Sequence, residues 1–179
     1  HGFWQNAEAV SESYTADLKF SQLNGKVDVY LDDRLVPHIF AEQENDAYFV
    51  QGFLHSKFRL WQMEFQAYAA AGRLSEILGN KDERILNFDR NMRRLGMVYA
   101  AEIALQQMNN DPVIKSQCDA YTAGVNAYIE TLTESTLPLE YKLIGYKPEK
   151  WNNLKTSLFL KYMSYDLAAH DDDFELTNA

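Results

Sequence analysis

Cysteine is nearly absent from this 179-residue sequence, which contains only Cys118. A single cysteine excludes an intrachain disulfide and a metal site built on paired cysteines, and it leaves the redox compartment open. Basic residues are also scarce, with 17 Lys and Arg against 26 Asp and Glu and a net charge of -9. Because phosphate backbones and anionic lipid are bound through clustered positive charge, we set nucleic acid and membrane aside as partners.

Long hydrophobic runs are missing as well. The apolar stretches are broken by charges well short of the roughly 20 residues that a transmembrane helix needs. There is no charged and apolar leader, although a chain that begins with His1 instead of Met is compatible with a signal peptide already removed. Proline and glycine are few, at 4 and 8 residues, while 46% of the residues are apolar. This composition is typical of a folded globular protein and not of a disordered one.

The clearest strand signal is "VDVYL", residues 27 to 31, in which apolar and polar residues alternate. The following "DDRLVP" supplies turn residues and leads into a short extended segment through Ile39 and Phe40. A lone strand or hairpin is marginally stable without further strands. We therefore expect this region to join a sheet whose other strands belong to another chain.

Helical spacing dominates the rest of the sequence. We expect a long helix from Asp46, as its N-cap, to Gly72, followed by a short helical turn closed by Gly79. Three further helices are predicted, over about 97–108, over 112–132, and after Trp151 with Asn152 or Asn153 as the cap. The long helix carries two apolar stripes, which predicts burial on most of its sides. We interpret the chain as one unit over 1–179, consisting of an N-terminal segment (1–26), a strand region (27–40), helices (46–170) and an acidic C-terminal segment (171–179).

A search for reactive groups finds none that this chain would provide alone. The histidines lack HExxH and HxxxH spacing, and no GxSxG elbow, GxxxxGK[ST] loop or GxGxxG turn is present. We expect His38 and His55 to be structural. Arg59, within the apolar long helix, is expected to reach a carboxylate or backbone carbonyls, with a structural ion pair favoured. Arg73 and Glu76 are spaced for a modest surface pair.

Two further features have plain structural interpretations when taken alone. Met163 and Leu167 are four residues apart on one helical face and would ordinarily belong to a core. The acidic run Asp171 to Asp173 with Glu175 offers oxygen ligands of the kind that calcium prefers. It lacks the DxDxDG spacing of an EF-hand, so a solvated loop is the simpler interpretation.

Taken together, several segments resemble a known family. They occur in the order "VDVYLDDRLVPHIFAEQENDAYFVQGFLHSKFRLWQMEFQAYAAAGRLSEILG", "DRNMRRLG", "AYTAGVNAYIE", "LPLEYKLIGYKPEKW" and "KYMSYDLAAHDDDFEL". These segments cover residues 27 to 177, and the whole resembles the α subunit of the penicillin acylase family of N-terminal nucleophile hydrolases.

The resemblance implies a reason for the missing nucleophile. In that family a precursor is cut into an α chain and a β chain, and the nucleophile is the serine that becomes the first residue of the β chain. The free α-amine of that serine acts as general base, directly or through a water, and β-chain groups complete the oxyanion hole. We therefore expect no catalytic residue in this chain, an obligate β-chain partner from the same precursor, and a small-molecule amide as substrate.

The resemblance also implies a fold and a location. The fold class would be α+β, with a mainly helical α chain of a four-layer αββα sandwich that gives a short strand region to a sheet completed by the β chain. Because family members are typically exported, we expect the protein to be periplasmic or secreted.

The resemblance assigns roles to four residues. Met163 and Leu167 match positions that face the acyl group of the substrate, and an apolar pocket suits both side chains. Asp166, beside them, stands where penicillin G acylases have an arginine, and Leu167 stands where they have an aromatic. The acyl group therefore stays open between phenylacetyl, an aliphatic chain as in acyl-homoserine lactone acylases, and another amide. Glu175 matches the glutamate that the α chain gives to a calcium site, whose remaining ligands come from the β chain.

One local departure and one alternative function complete the sequence-based expectations. Relatives usually have glycine in place of Leu35, so the turn "DDRLVPHI" is expected to differ locally. The alternative to an acylase subunit is a non-catalytic helical binding or scaffold module that has kept the α-chain shape. A reading frame that continues into a Ser-initiated β chain would favour the enzyme.

Overall fold

The computed structural model describes residues 13–79 and 81–168 of the chain. A two-stranded hairpin precedes seven helices in this part of the chain. In chain order the elements are β1 (Val27–Leu31), β2 (Pro37–Ala41), α1 (Glu44–Ala71), α2 (Leu74–Leu78), α3 (Glu83–Arg94), α4 (Met97–Asn110), α5 (Pro112–Thr131), α6 (Leu139–Ile144) and α7 (Asn153–Ala168). None of the helices in these two ranges combines the length and the apolar character needed to cross a bilayer.

The hairpin confirms the predicted strand, turn and extended segment. β1 and β2 are antiparallel, and Tyr30 pairs with His38 in the register. The inward-facing Val27 and Ile39 pack against a core cluster formed by α1 and α5. On the other face, the rings of Tyr30 and Phe40 meet edge to face at 5.8 Å and are about two-thirds exposed. Within the residues that the structure describes, one face of the hairpin is thus covered and the other is not.

The hairpin turn keeps a left-handed residue although its sequence has leucine there. Leu35 has a φ of 58°, in the region that normally favours glycine. The Asp32 carboxylate accepts hydrogen bonds from the backbone N–H groups of Arg34 and Val36, at 2.9 and 2.8 Å. These bonds hold the turn closed, so the leucine is accommodated in a strained conformation and does not open the turn.

Relief of this strain gives a first prediction. Leu35→Gly should raise the free energy of unfolding by about 1 kcal/mol, because the removed left-handed strain exceeds the extra chain entropy of glycine. Thermal unfolding of the purified protein measures the effect. Arg34→Gly is the matched control, since Arg34 lies in the same turn but has no positive φ. This change should lower the free energy of unfolding, because it adds chain entropy without relieving strain. If Leu35→Gly lowered the melting temperature as much as Arg34→Gly, the turn would carry no strain.

The long helix α1 begins three residues earlier than predicted. Its N-cap is Gln43, which makes no side-chain capping bond, so the prediction of Asp46 as the cap is wrong. The Asp46 carboxylate is buried and accepts the N–H groups of Asn24 and Gly25, at 3.0 and 2.8 Å. The aspartate therefore ties the segment before β1 to the first turn of α1. Gly72 ends the helix in the left-handed conformation, as predicted.

A kink at Arg59 divides α1, with a φ of -145° and a ψ of 17°. Just before it, the Ser56 hydroxyl donates to the carbonyl oxygens of Gly52 and Phe53, a pattern that bends helices. Arg59 is exposed and donates to the Phe58 carbonyl at 3.3 Å. The backbone-carbonyl alternative is thus confirmed, and the favoured ion pair is not found within the residues that the structure describes.

Two glycines allow α1 and α5 to touch backbone to backbone. A Cβ placed on Gly124 would lie 1.8 Å from the Phe49 carbonyl oxygen, and one on Gly52 would lie 2.2 Å from the Tyr121 carbonyl oxygen. No real side chain fits at such distances. Around this crossing, Phe49 and Phe53 form one core cluster with Ala127. The crossing makes α1 the central helix, with α5, α7 and the hairpin arranged around it.

Two helices, α3 and α6, are absent from the sequence-based prediction. Helix α3 holds the corner after Gly72: the buried Asp89 carboxylate accepts the N–H groups of Leu74 and Ser75, each at 2.8 Å. Arg93, one turn further on, donates through Nε to the Gly72 carbonyl at 2.8 Å. Helix α3 therefore fixes the N-terminus of α2, which itself matches its predicted extent.

Candidate functional site

The sequence-based candidates lie on α7, whose start is defined by polar contacts. The Asn152 side chain accepts the Lys155 N–H at 3.0 Å, which confirms one of the two predicted caps. The backbone N–H of Trp151 donates to Asn126 Oδ1 at 2.8 Å, and Asn126 Nδ2 donates back to the Trp151 carbonyl at 3.0 Å. Asn153 is bound to α5 through Asp119, at 2.7 Å. These bonds fix where α7 begins relative to α5.

One face of α7 is buried against α1 and α4. Leu158 packs with Ala70 and Ala101, and Tyr162 continues this face one turn later. The Ser157 hydroxyl, fully buried, donates to the Ala101 carbonyl at 2.7 Å. The first half of α7 is therefore held by both apolar packing and hydrogen bonds.

An ion pair in the protein interior joins α7 to the central helix. Lys155 Nζ lies 3.3 Å from Glu64 Oε1, and the two residues are only 6% and 1% exposed. The Glu64 carboxylate also accepts the Tyr141 hydroxyl at 2.6 Å and the Glu149 N–H at 2.8 Å. Burial and the charge of Glu64 raise the pKa of the Tyr141 phenol, which keeps it protonated as a donor. Every oxygen of this buried carboxylate is thus bonded.

The ion pair continues to the surface through Glu149. Its carboxylate lies 3.2 Å from Lys155 Nζ and 3.6 Å from an Arg73 nitrogen. Partial burial alone would raise the pKa of Glu149. The pKa is nevertheless lowered, because the carboxylate accepts a hydrogen bond from Tyr68 and lies near the positive charges of Lys155 and Arg73. Arg73 also binds Glu76 at 2.7 Å, which confirms that predicted pair. The network links α1, α2, α6 and α7.

The opposite face of α7 carries an apolar stripe that nothing in the described chain covers. It consists of Leu160, Met163 and Leu167, which are 54%, 37% and 70% exposed. Their i, i+3, i+7 spacing places them on one side of the helix, turned away from Leu158 and Tyr162. We call these three residues the α7 stripe. The structure thus brings Met163 and Leu167 together, and it adds Leu160, which the sequence analysis did not single out.

The other two predicted site residues are placed differently. Asp166 is exposed at the side of the stripe, four residues after Tyr162. Burial, followed by the charge of Asp166, raises the pKa of Tyr162. Glu175 lies outside the described residues.

The histidines have structural surroundings, as predicted. His55 Nδ1 lies 3.1 Å from the Tyr121 hydroxyl, and burial lowers the His55 pKa. His38 lies 3.8 Å from the Asp32 carboxylate at the hairpin turn. Over residues 13–79 and 81–168, no three His, Cys, Asp or Glu side chains come together as metal ligands would.

An open groove is present at the start of α7, on the side of α5. It has a volume of about 650 Å³ and is lined by Asp119, Asn126, Trp151 and Asn153 among others. Most of these polar groups already bond to one another. The groove is separated from Met163 by more than two helical turns, so it is not part of a site at the α7 stripe.

Comparison with known proteins identifies relatives over most of the chain. The family model described as penicillin amidase matches residues 26–179. The penicillin acylase 2 proenzyme of Pseudomonas sp. (strain SE83) is 35% identical over 144 residues, which are 80% of this chain and 18% of that protein. The acyl-homoserine lactone acylase QuiP of Pseudomonas aeruginosa is 34% identical over 135 residues, 75% of this chain and 15% of that protein.

A solved structure shares the fold. The thermostable penicillin G acylase from Alcaligenes faecalis superposes with a TM-score of 0.73 at 21% identity, covering 86% of this chain and 80% of that chain. This likeness confirms the predicted fold class of a mainly helical chain with a short strand region. The chain spans less than a fifth of the length of the curated relatives described above.

Proposed function

Because this chain belongs to the penicillin amidase family, we propose that it is the α chain of a heterodimeric amidohydrolase and forms one wall of the acyl-binding pocket. The observation that carries the proposal is the α7 stripe, an exposed apolar surface on a helix whose other face is firmly anchored. Exposed apolar patches of this kind mark binding surfaces. The names of the relatives, penicillin acylase and acyl-homoserine lactone acylase, favour an acyl group as the occupant.

The proposed reaction places the nucleophile on the partner. The hydroxyl oxygen of the β-chain N-terminal serine attacks the amide carbonyl carbon, and the serine proton passes through the α-amine to the leaving amine as the C–N bond breaks. Water then hydrolyses the acyl-serine ester to the carboxylic acid and restores the serine. The α chain contributes no group to these steps. Its part is to bind the acyl chain against Met163 and Leu167, which orients the carbonyl and excludes water.

The proposed β-chain partner fits the distribution of apolar surface. Among the described residues, more large hydrophobic side chains are exposed than are buried in the core, once the six buried alanines are set aside. They include the outer face of the hairpin and the α7 stripe, which lie on different parts of the chain. A second chain from the same precursor, wrapped around this one in an obligate interface, would cover both. We also propose export to the periplasm or outside the cell, on the strength of the family resemblance.

A panel of chromogenic amides tests the proposed activity. The complete protein, with phenylacetyl, glutaryl, hexanoyl and decanoyl amides, should hydrolyse at least one apolar acyl amide and leave the enzyme acylated when quenched during turnover. Mass spectrometry of the quenched protein locates the acyl group on the partner chain. No hydrolysis of any amide by a correctly folded protein would favour the non-catalytic scaffold instead.

Met163→Trp tests the pocket wall. The larger indole should fill space at the stripe that a long acyl chain would occupy. We expect kcat/KM for a decanoyl amide to fall by about tenfold or more relative to a short acyl amide, since one methylene group that fits poorly in a hydrophobic pocket changes kcat/KM by about this factor. Steady-state kinetics on the two substrates measures the ratio. Ile144→Trp is the matched control, because Ile144 is an equally exposed apolar residue on α6. An unchanged ratio in Met163→Trp would remove Met163 from the pocket.

We propose a calcium site that uses Glu175. A carboxylate is the ligand type that calcium prefers, and the ion would lend rigidity to the region without taking part in catalysis. No ligand cluster is found in the described residues, so the site requires further oxygen ligands from outside them. Glu175→Ala should lower the calcium content of the purified heterodimer, measured by atomic emission, and also its melting temperature. Asp172→Ala is the control, and equal calcium in both variants and the wild type would contradict the assignment.

A further inference from the structure

We propose that Lys155 is a positioning residue: its ion pair with Glu64 sets the placement of α7 and thereby of the acyl-pocket wall formed by the α7 stripe. This inference rests on the proposed function for its meaning, although the structural part is independent of it. By helical spacing, Lys155 lies on the face of α7 opposite to the stripe. It acts through the position of the helix alone.

The ion pair is better suited to alignment than to stability. Taking two charges out of water costs free energy that their attraction often fails to repay, and apolar replacements of buried pairs are frequently as stable. A buried pair does, however, penalise any arrangement in which one charge loses its partner. Here the penalty applies to movement of α7 along α1, because a shift of one turn, about 5.4 Å, would separate the Lys155 ammonium from the buried Glu64 carboxylate.

The acceptor side of the pair is rigid. The Glu64 carboxylate is held by the Tyr141 hydroxyl at 2.6 Å and by the Glu149 N–H at 2.8 Å. Tyr141 is fully buried and packs edge to face on Trp61 at 5.1 Å. Glu64 is therefore fixed from α6 and from the segment before α7, and Lys155 has a defined target.

The donor side fixes rotation as well as translation. Lys155 Nζ reaches Glu64 at 3.3 Å and Glu149 at 3.2 Å, two directions from a single ammonium group. Lys155 shares its helical face with Leu158 and Tyr162 by i, i+3, i+7 spacing. Rotation of α7 about its axis would draw the ammonium away from both carboxylates. The orientation of the opposite face follows from this constraint.

The stripe depends on this anchor because its own surroundings are open. Met163 lies eight residues after Lys155, about 12 Å along the helix, and Leu167 lies one turn further. Leu167 is 70% exposed, so packing within the described chain does not fix its position. Within the described part of the chain, the Lys155 pair is the charged contact that joins α7 to the central helix. Placement of the pocket wall is thus inherited from the first half of the helix.

The test uses the complete protein with Lys155→Met, the Glu64→Gln/Lys155→Met double variant, and Lys155→Arg. Two readouts are measured: the ratio of kcat/KM for decanoyl over hexanoyl amides, and hydrogen exchange of the amides in 159–168. Lys155→Met should change the ratio by about fivefold or more and speed exchange in this segment by about tenfold. Lys155→Arg should return both values at least halfway to the wild type, and the neutral double variant should regain stability without regaining the wild-type ratio.

Lys150→Met is the matched control, since Lys150 forms an exposed ion pair with Glu130 and should leave both readouts unchanged. If Lys155→Met does not fold, Glu149→Gln takes its place. This change removes one of the two carboxylate partners of Lys155 and leaves the buried pair with Glu64 intact, so it should raise the exchange rate in 159–168 by less than tenfold. Loss of stability with an unchanged ratio and unchanged exchange would overturn the inference and leave the pair merely structural. Absence of amide hydrolysis in the wild type would overturn the proposed function, while the exchange measurement still decides the positioning role.

Discussion

Gly124→Ala should lower the free energy of unfolding by about 4 kcal/mol, although alanine is the better helix former. Helix propensity alone would favour the substitution by up to about 1 kcal/mol. The added Cβ, however, would stand 1.8 Å from the Phe49 carbonyl oxygen and 2.7 Å from its carbon. A backbone oxygen has no rotamer into which it can move. The two helices must separate, and the core on both sides of the crossing then loses its packing.

Chemical denaturation and thermal melting of the complete protein measure this effect. Gly145→Ala is the matched control, because Gly145 has a φ of 68° and no atom within 4 Å of an added Cβ. It should cost only about 1 kcal/mol from left-handed strain. Gly52→Ala, with its Cβ 2.2 Å from the Tyr121 carbonyl oxygen, should resemble Gly124→Ala. A Gly124→Ala protein as stable as Gly145→Ala would show that the helices do not meet as described.

Asp89→Ala should destabilise the protein by about 3 to 5 kcal/mol. Asp89 is only 3% exposed. Its carboxylate accepts hydrogen bonds from the N–H groups of Leu74 and Ser75, each at 2.8 Å, and from the Ser75 hydroxyl at 2.6 Å. Alanine would leave these donors without a partner in a site too enclosed for free solvation. It would also remove the negative charge from the start of α2.

Asp82→Ala supplies the comparison for Asp89→Ala. Asp82 performs the same chemistry at the start of α3, where it accepts the Arg84 N–H at 2.9 Å, but its side chain is 39% exposed. Water can replace it, so the loss should be about 1 kcal/mol. Denaturant midpoints of the two variants, measured side by side, separate the cost of burial from that of the bond. Equal losses for Asp82→Ala and Asp89→Ala would be the contradictory result.

The sequence predicted those helices whose apolar residues recur over many turns. The extents of α5 and α7 and the end of α1 at Gly72 follow from spacing and capping residues. Helix α3 was missed because half of its sequence, "ERILNFDRNMRR", is charged, and the apolar Phe88 and Met92 lie between charged and polar residues. Helix α6 has six residues after Pro138, too few for a periodic pattern. Asp46 resembles a cap in sequence, but its carboxylate turns to Asn24 and Gly25, a contact between distant segments.

The same distinction applies to the candidate site. Met163 and Leu167 were found through the family resemblance, and their helical spacing alone indicated core residues. Leu160 follows from the spacing once the exposed face is known. The Glu64 and Lys155 pair left a weak signal, since each charge interrupts an apolar stripe on its own helix. Which acidic residue meets which basic one depends on how α1 and α7 cross, and no local pattern contains that information.

The hairpin has a consequence for how such a protein is made. Within the described residues the sheet has two strands, so each strand offers an unpaired row of backbone groups, and Tyr30 and Phe40 project beside them. Edges of this kind invite wrong pairing between copies. If the covering strands are synthesised on the same polypeptide, their effective concentration is in the millimolar range and they arrive in equal number. Cutting the connection after folding would then keep the pairing while releasing a new chain end.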